Sequence, residues 1–149
     1  MNAPSIHAAA VLIGPRAVLI RGPAGSGKSR LAYELVEAGR GGALPFARLV
    51  ADDRAHVEAH GGRLVVRPAA ALAGLIEVRG LGIRRLAHEP LAVIAWVVDL
   101  AAADAQRHPA AASGTATLEG ITLPRLAVAP GISAVTLVLA WVTTSRSDD

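Results

Sequence analysis

Cysteine is missing altogether. That excludes disulfide bridges, thiol catalysis and Cys-ligated metals, and it agrees with a reducing, cytoplasmic setting. Aromatic residues are scarce, at 3% of 149 positions, so Ala, Val, Leu and Ile must build the core. Lysine is nearly absent: Lys28 stands alone, and the other basic residues are scattered arginines. The net charge of +3 lacks the clustered basic face of a nucleic-acid binder. The nearest approach, Arg79, Arg84 and Arg85, reads as a solvated face or an acidic-ligand site, so no nucleic-acid partner is expected. Long apolar runs are lacking too. Residues 91–98 are too few to span a bilayer, and residues 126–142 are broken by Pro130-Gly131, whereas a spanning helix needs about 20 apolar residues. No membrane partner is expected, and residues 1–5 carry no basic start of a signal peptide.

What is abundant is apolar side chain, 52% of the sequence, too much for a disordered chain. The length suits one domain, residues 1–149. Residues 8–13 and 17–20 read as strands turning at Gly14-Pro15. Residues 29–38 read as a helix with Leu31, Ala32, Leu35 and Val36 on one face and Gly39 as its cap. Residues 41–46 read as a loop and 48–51 as a short strand ending at Asp52-Asp53. Residues 56–60 and 63–67 alternate around Gly61-Gly62 as a hairpin. Residues 69–73 suggest one helical turn. Residues 76–78 form an extended piece before a Gly80-Leu81-Gly82 loop. Residues 91–100 are rich in β-branched residues and predict a central strand. Residues 101–114 read as a small-residue loop, 117–122 and 126–128 as strands, 132–141 as a terminal helix and 145–149 as a frayed tail.

The most specific signal is Gly22-Pro23-Ala24-Gly25-Ser26-Gly27-Lys28-Ser29, placed between a strand and a helix. Glycines let the backbone curl so that N–H groups point inward at phosphate oxygens. The helix turns its positive end to the same anion. Lys28 adds a full charge for β- and γ-phosphates, and Ser29 offers a hydroxyl to Mg²⁺. This predicts a nucleotide-binding P-loop, the alternative being a chance match in a Gly- and Ala-rich chain.

Further candidates surround it. Asp52 and Asp53 at a strand end allow one carboxylate near a metal and another taking a proton from an attacking hydroxyl; the plain alternative is an Asp-Asp turn. In Glu77-Val78-Arg79-Gly80-Leu81-Gly82, Glu77 is a candidate metal ligand and Arg79 a candidate phosphate contact beside Gly80, against an exposed ion pair before a turn. His7 precedes a strand and is a candidate acid, base or phosphate contact, although a lone His is usually structural. Arg107 is a candidate arginine-finger-like donor, although a lone loop arginine is usually solvated.

Ser-Ile-His, a hairpin, a P-loop, Val-Ala-Asp-Asp and Glu-Val-Arg-Gly-Leu-Gly-Ile follow one another in an order that resembles the catalytic domain of HPr kinase/phosphorylase. The resemblance runs over residues 5–142. It implies an α/β fold: a P-loop kinase-like domain with a mixed, largely β sheet core and a C-terminal helix. It implies ATP and Mg²⁺ as cofactors. The implied activity is serine phosphorylation of HPr, the phosphocarrier of the sugar phosphotransferase system, and phosphate-dependent reversal of that mark. His7 falls on the family's catalytic histidine, Lys28 on its ATP lysine, Ser29 and Glu77 on its Mg²⁺ ligands, and Asp52 and Asp53 on the pair that includes its general base. Arg107 falls near an arginine of its mobile loop. A homo-oligomer, a hexamer, is implied as well. The chain departs from the pattern in lacking the N-terminal domain of longer members, in an extra stretch at 41–46, in Arg30 where Glu is frequent, and in residues 127–133, which lack the basic residues tied to the reverse reaction. Two other readings remain: a nucleotide-responsive regulatory module that transfers no phosphate to protein, and a small-molecule kinase, for whose lid and acceptor pocket the length leaves little room.

Overall fold

The computed structural model describes residues 4–105 and 114–144. Arg107 and the tail at 145–149 lie outside the described residues. The elements run β1 (Ser5–Ile6), β2 (Ala8–Ile13), β3 (Arg16–Arg21), α1 (Lys28–Arg40), β4 (Ala47–Ala51), β5 (Ala55–His60), β6 (Arg63–Pro68), a 3₁₀ turn (Ala70–Leu72), β7 (Leu75–Val78), β8 (Gly82–Arg85), β9 (Ala92–Asp99), β10 (Thr115–Leu118), β11 (Ile121–Ala127) and α2 (Ala134–Thr143). Nine of these strands form one mixed sheet, in the order β1-β5-β6-β9-β3-β2-β4, with β11 beside the far end of β9 and β10 beside β11. The expected α/β architecture, largely β with a C-terminal helix, is the one observed.

The central place of β9 follows from its composition. Its run Ala-Val-Ile-Ala-Trp-Val-Val is apolar on both faces, as a strand covered on both sides must be. Val98 joins a core layer with Val18, Ile20 and the α1 residues Leu31, Ala32, Leu35 and Val36. Ile94 and Ala92 join a second layer with Ala17, Leu19, Leu64 and Val66 on the opposite face. The four α1 residues predicted to share a face are the four that are buried. Full burial contributes about 1.5–3 kcal/mol for each Leu or Val, so a Leu35→Ala change would cost about 2–5 kcal/mol.

β9 runs parallel to β3 and to β11. The three strands end together: Arg21 pairs with Asp99, and Asp99 with Ala127. Ligands in open α/β sheets bind beyond the carboxyl ends of such strands. Among the described residues no helix is long and apolar enough to cross a membrane.

Four local expectations change. Helix α1 continues through Gly39 to Arg40, and Gly41 takes the cap position. Gly39 serves packing instead: a Cβ there would lie 2.7 Å from the Ala47 Cβ and 2.8 Å from the Ala47 nitrogen. The segment after Gly80 is not simply a loop, because β8 pairs with β7 as a two-stranded hairpin from Leu75↔Arg85 to Val78↔Gly82. The strand expected at 117–122 is interrupted by a turn at Glu119-Gly120, both with positive φ (51° and 78°), as a tight hairpin demands. The terminal helix starts two residues later than expected, after Pro130-Gly131 and Ser133.

Candidate active site

A cleft of about 1100 Å³ opens at the shared strand ends. One wall is the loop Gly22 to Ser29, which joins β3 to α1. Gly27 caps α1 at φ 101°, a left-handed conformation suited to glycine, and no acidic residue occupies the first turn. The positive end of α1 is therefore left for an external anion. Gly22 lies where a Cβ would meet Ser26 Oγ at 2.5 Å and the Leu100 Cβ at 3.1 Å, so a side chain there would turn Ser26 aside and crowd Leu100. The Lys28 ammonium donates to the carbonyls of Gly22 (2.7 Å) and Pro23 (3.1 Å). Ser26 Oγ is buried without a protein partner, a polar group whose unmet hydrogen bonding suits a phosphate-binding loop.

The adjacent carboxylates of Asp52 and Asp53 line the same cleft beside this loop. Asp52 lies just past β4 and is the one charged residue buried in the core among the described residues, at 4% exposure. Its carboxylate accepts the Ser29 hydroxyl at 2.7 and 2.9 Å and the Glu77 backbone N–H at 3.1 Å. Burial pushes this carboxyl above the usual carboxylate range. The hydrogen bonds from Ser29 and from the backbone of Glu77 and Asp53 oppose that shift, and the Asp53 charge adds to it. Asp53 is exposed and left-handed at φ 68°. The two adjacent carboxylates thus sit in different environments, one buried and anchored, the other at the surface of the cleft.

His7, in the bend between β1 and β2, and Glu77 and Arg79, at the end of β7 and in the turn after it, also line the cleft. Gly80 follows in the same turn. The structure therefore brings together every described candidate side chain: His7, Lys28, Ser29, Asp52, Asp53, Glu77 and Arg79. Ser29, Asp52 and Glu77 offer only hard oxygen donors, the type Mg²⁺ prefers. Mg²⁺ takes one or two protein carboxylates and completes its shell with water and substrate phosphates, so the residues present fit that ion together with a nucleotide.

Two parts of the cleft lie outside the candidate site residues, one of them overlapping the 127–133 stretch that the resemblance ties to the reverse reaction. Leu100 and Ala101 form its floor, and Ala101 is left-handed at φ 52°. Residues 128–134 form a second wall, from Val128 through Pro130, Gly131 and Ile132 to Ala134. Pro130-Gly131 before an apolar helix was the available signal for that wall. Nothing in the sequence around Ala101 announces its conformation. A smaller cavity of about 190 Å³ lies on the other side of the carboxylate pair, lined by Asp52, Asp53, Leu72, Leu75, Ile76, Glu77 and Ile83.

The backbone of the whole domain has a known counterpart. The structure of the Hpr(Ser) kinase/phosphatase from Coxiella burnetii superposes with a TM-score of 0.74 over 93% of this chain and 88% of that one, at 22% sequence identity. That likeness establishes the fold. In sequence, the HPr kinase/phosphorylase of Streptococcus thermophilus is 46% identical over 80 residues, 53% of this chain and 24% of the relative. The HPr kinase/phosphorylase of Clostridium beijerinckii is 37% identical over 78 residues, 52% of this chain and 24% of the relative. The matched part thus spans about a quarter of these curated relatives. The family model described as HPr Serine kinase C-terminal domain matches residues 2–88, a stretch that holds His7, the phosphate loop, the carboxylate pair and the Glu77-Val78-Arg79-Gly80 turn. With more than half of its length matched, and the matched part carrying the loop at 22–29 and the carboxylate pair of the cleft, the chain belongs to the HPr serine kinase C-terminal domain family.

Proposed function

We propose that this chain is a Mg²⁺- and ATP-dependent protein-serine kinase whose acceptor is the phosphocarrier HPr. The observation that carries this reading is a buried carboxylate, Asp52, hydrogen-bonded to Ser29 of the phosphate loop, with an exposed one, Asp53, next to it in the same cleft. The family relation and the relatives' names support the choice of acceptor.

In this reading the N–H groups of the loop and the start of α1 hold the nucleotide phosphates, and the Lys28 ammonium exchanges its carbonyl partners for phosphate oxygens. Ser29 and Glu77 would hold Mg²⁺, which would supply positive charge to offset the negative charge of the transferring phosphates. A carboxylate of the Asp52/Asp53 pair takes the proton of the acceptor serine as its oxygen attacks the γ-phosphorus in line, and the bond to the β-phosphate oxygen breaks. The proton passes from serine oxygen to carboxylate, and ADP leaves with the negative charge. His7 and Arg79, both in the lining of the cleft, contact the transferring or acceptor phosphate. Arg107 completes the proposed set. As a member of a family whose relatives are named kinase/phosphorylase, the chain is proposed to act as one domain, 1–149, in a cytoplasmic homo-oligomer, a hexamer by resemblance.

The reverse reaction has weaker physical support. Residues 128–134, which form the second wall, contain no cation, and the described cations lining the cleft are Lys28, Arg30 and Arg79. A free phosphate that must attack phosphoserine would find little added positive charge on that wall. Incubation with HPr, Mg²⁺ and ATP, and then of phosphorylated HPr with inorganic phosphate, tests both directions. Rapid forward labelling of a serine with slow return is the expected pattern.

A further inference from the structure

Behind the phosphate loop, on the face of the sheet away from α1, lies a chain of four charged side chains. Arg21, the last residue of β3, is bidentate to Asp99, the last residue of β9, with Nε–Oδ1 at 2.8 Å and the second guanidinium nitrogen to Oδ2 at 2.9 Å. Arg125 of β11 donates its Nε to Asp99 Oδ2 at 2.5 Å and grips Asp104 with its two terminal nitrogens at 2.7 and 3.0 Å. The sheet register explains the convergence. Arg21 and Asp99 are direct cross-strand partners, and Arg125 lies one pleat back on the same face. Val98 and Leu100, the neighbours of Asp99, point the other way, into the core under α1.

The backbone around this cluster is the bed of the cleft. The Leu100 N–H donates to the Arg21 carbonyl at 2.8 Å, and Leu100 packs against Gly22, the first residue of the phosphate loop. The Val128 N–H donates to the Asp99 carbonyl at 2.9 Å, and the Ala102 N–H to the Val128 carbonyl at 2.9 Å. Val128 begins the second wall. The Gly114 carbonyl accepts from the Arg125 N–H at 2.7 Å. Both walls of the cleft are therefore built on strands whose ends meet at one carboxylate. None of the four charged side chains lines the cleft.

We propose that Asp99 is a positioning residue for phosphate binding: its carboxylate, clamped between Arg21 and Arg125, holds the ends of β3 and β11 at the spacing that sets the phosphate loop against the wall at 128–134. The choice of Asp99 over its partners follows from connectivity. It is the only member joined to both strands. Asp99 and Arg125 are only 16% and 17% exposed, where an ion pair is weakly screened and its geometry is held firmly. Removing the carboxylate leaves two guanidinium groups side by side and lets the strand ends part. The arginine pair holds the Asp99 carboxyl below the ordinary range against the upward pull of burial.

The inference rests on reading the loop as a nucleotide site, so its test has one arm that uses no nucleotide. In the first arm, amide hydrogen exchange is followed in the nucleotide-free full chain and in Asp99→Asn. Faster exchange confined to residues 22–29 and 128–133, with the α1 core around Leu31 and Leu35 unchanged, is expected. Unchanged exchange, or a uniform rise everywhere, would overturn the proposal. In the second arm, Mg·ATP binding is titrated for the chain, Asp99→Asn, Arg21→Met and the double variant. A loss of roughly tenfold or more in affinity is expected for each single variant, because small misplacements of a binding constellation are amplified. The double variant should be no weaker than either single one. Saturated turnover should change less than the KM for nucleotide, whereas a merely structural lesion lowers the active fraction and leaves KM alone. If Asp99→Asn is too unstable to study, Arg125→Lys, which keeps the charge but loses the fork, must show the same changes at smaller size. Additive losses, or affinity within twofold of the parent chain, would overturn the assignment. Failure of the parent chain to bind Mg·ATP would count against the nucleotide reading, and the exchange arm would still decide the positioning role.

Discussion

Ser29 Oγ donates its hydrogen to the carboxylate of Asp52 at 2.7 Å across 23 positions of sequence. This bond ties the first turn of α1 to the end of β4 and makes one site of two motifs. The Glu77 N–H meets the same carboxylate, so the third motif is fastened to the same atom group. Hydroxyl and carboxylate are thereby held together before any ligand arrives, the kind of preorganisation phosphoryl transfer relies on.

Substitutions in this triangle should separate binding from chemistry. Asp52→Asn and Asp53→Asn are expected to keep nucleotide affinity within a few fold. The variant that removes the proton acceptor should lose about 10²–10⁴ in transfer rate. Lys28→Ala should weaken nucleotide binding by at least about tenfold, the scale of one lost charge-assisted bond. Titration of ATP binding alongside transfer kinetics checks this. Equal loss of binding in all three variants would favour a nucleotide-responsive module without protein kinase activity.

Metal dependence gives a second handle. Chelation of divalent ions is expected to abolish transfer. Glu77→Gln keeps the backbone N–H that holds Asp52 but loses a hard anionic donor, so the Mg²⁺ concentration for half-maximal rate should rise about tenfold, within the usual range for weakened metal sites. A Mg²⁺ titration of the initial rate reads this directly. An unchanged midpoint would remove Glu77 from the proposed metal site.

Stability should respond in opposite ways to Asp52 and Asp99 as pH changes. Asp99 is held below its unfolded value of about 3.9. Its ionised form therefore stabilises the fold above that pH, and the contribution is lost as pH falls through the lower folded value. The stability gap between the parent chain and Asp99→Asn should be full at pH 6–7 and shrink below about pH 4. Asp52 is raised, so folding favours its protonated form. Its contribution is present below about pH 3.9 and lost as pH rises through the folded value. Asp52→Asn should hence gain stability at neutral pH, as substitutions at functional sites often do. Denaturant unfolding across this range measures both gaps.

Packing at Gly39 offers a test away from the site. Gly39→Ala places a Cβ 2.7 Å from Ala47 Cβ and 2.8 Å from a backbone nitrogen, neither of which can swing aside. The overpacked junction of α1 and β4 should lose about 1–3 kcal/mol, seen as a lower midpoint of thermal or denaturant unfolding. A stability gain from the better helix propensity of Ala would show that the two elements part freely.

The candidate residues that come to line the cleft were legible because their backbone demands are local: the glycine turn, Lys28-Ser29 and the paired aspartates each need only their neighbours. The buried face of α1 was legible for the same reason, through its 3.6-residue period. Gly39 misled because a glycine near a helix end has two uses, capping and close packing, and only the position of Ala47 decides between them. The β8 strand escaped because Gly82-Ile83-Arg84-Arg85 is exposed throughout and carries no alternation of burial. The Arg21–Asp99–Arg125 cluster could not be read in advance, since it depends on the register of three strands separated by 26 to 78 positions. The left-handed Ala101 is a product of the same junction and not of its own side chain.

The central claim is tested most directly by incubating the chain with HPr, Mg²⁺ and γ-labelled ATP and locating the label. The account predicts a phosphoserine on HPr, formed by the parent chain and lost when Lys28 or the carboxylate pair is changed. A chain that binds Mg·ATP normally yet leaves HPr unlabelled would contradict it.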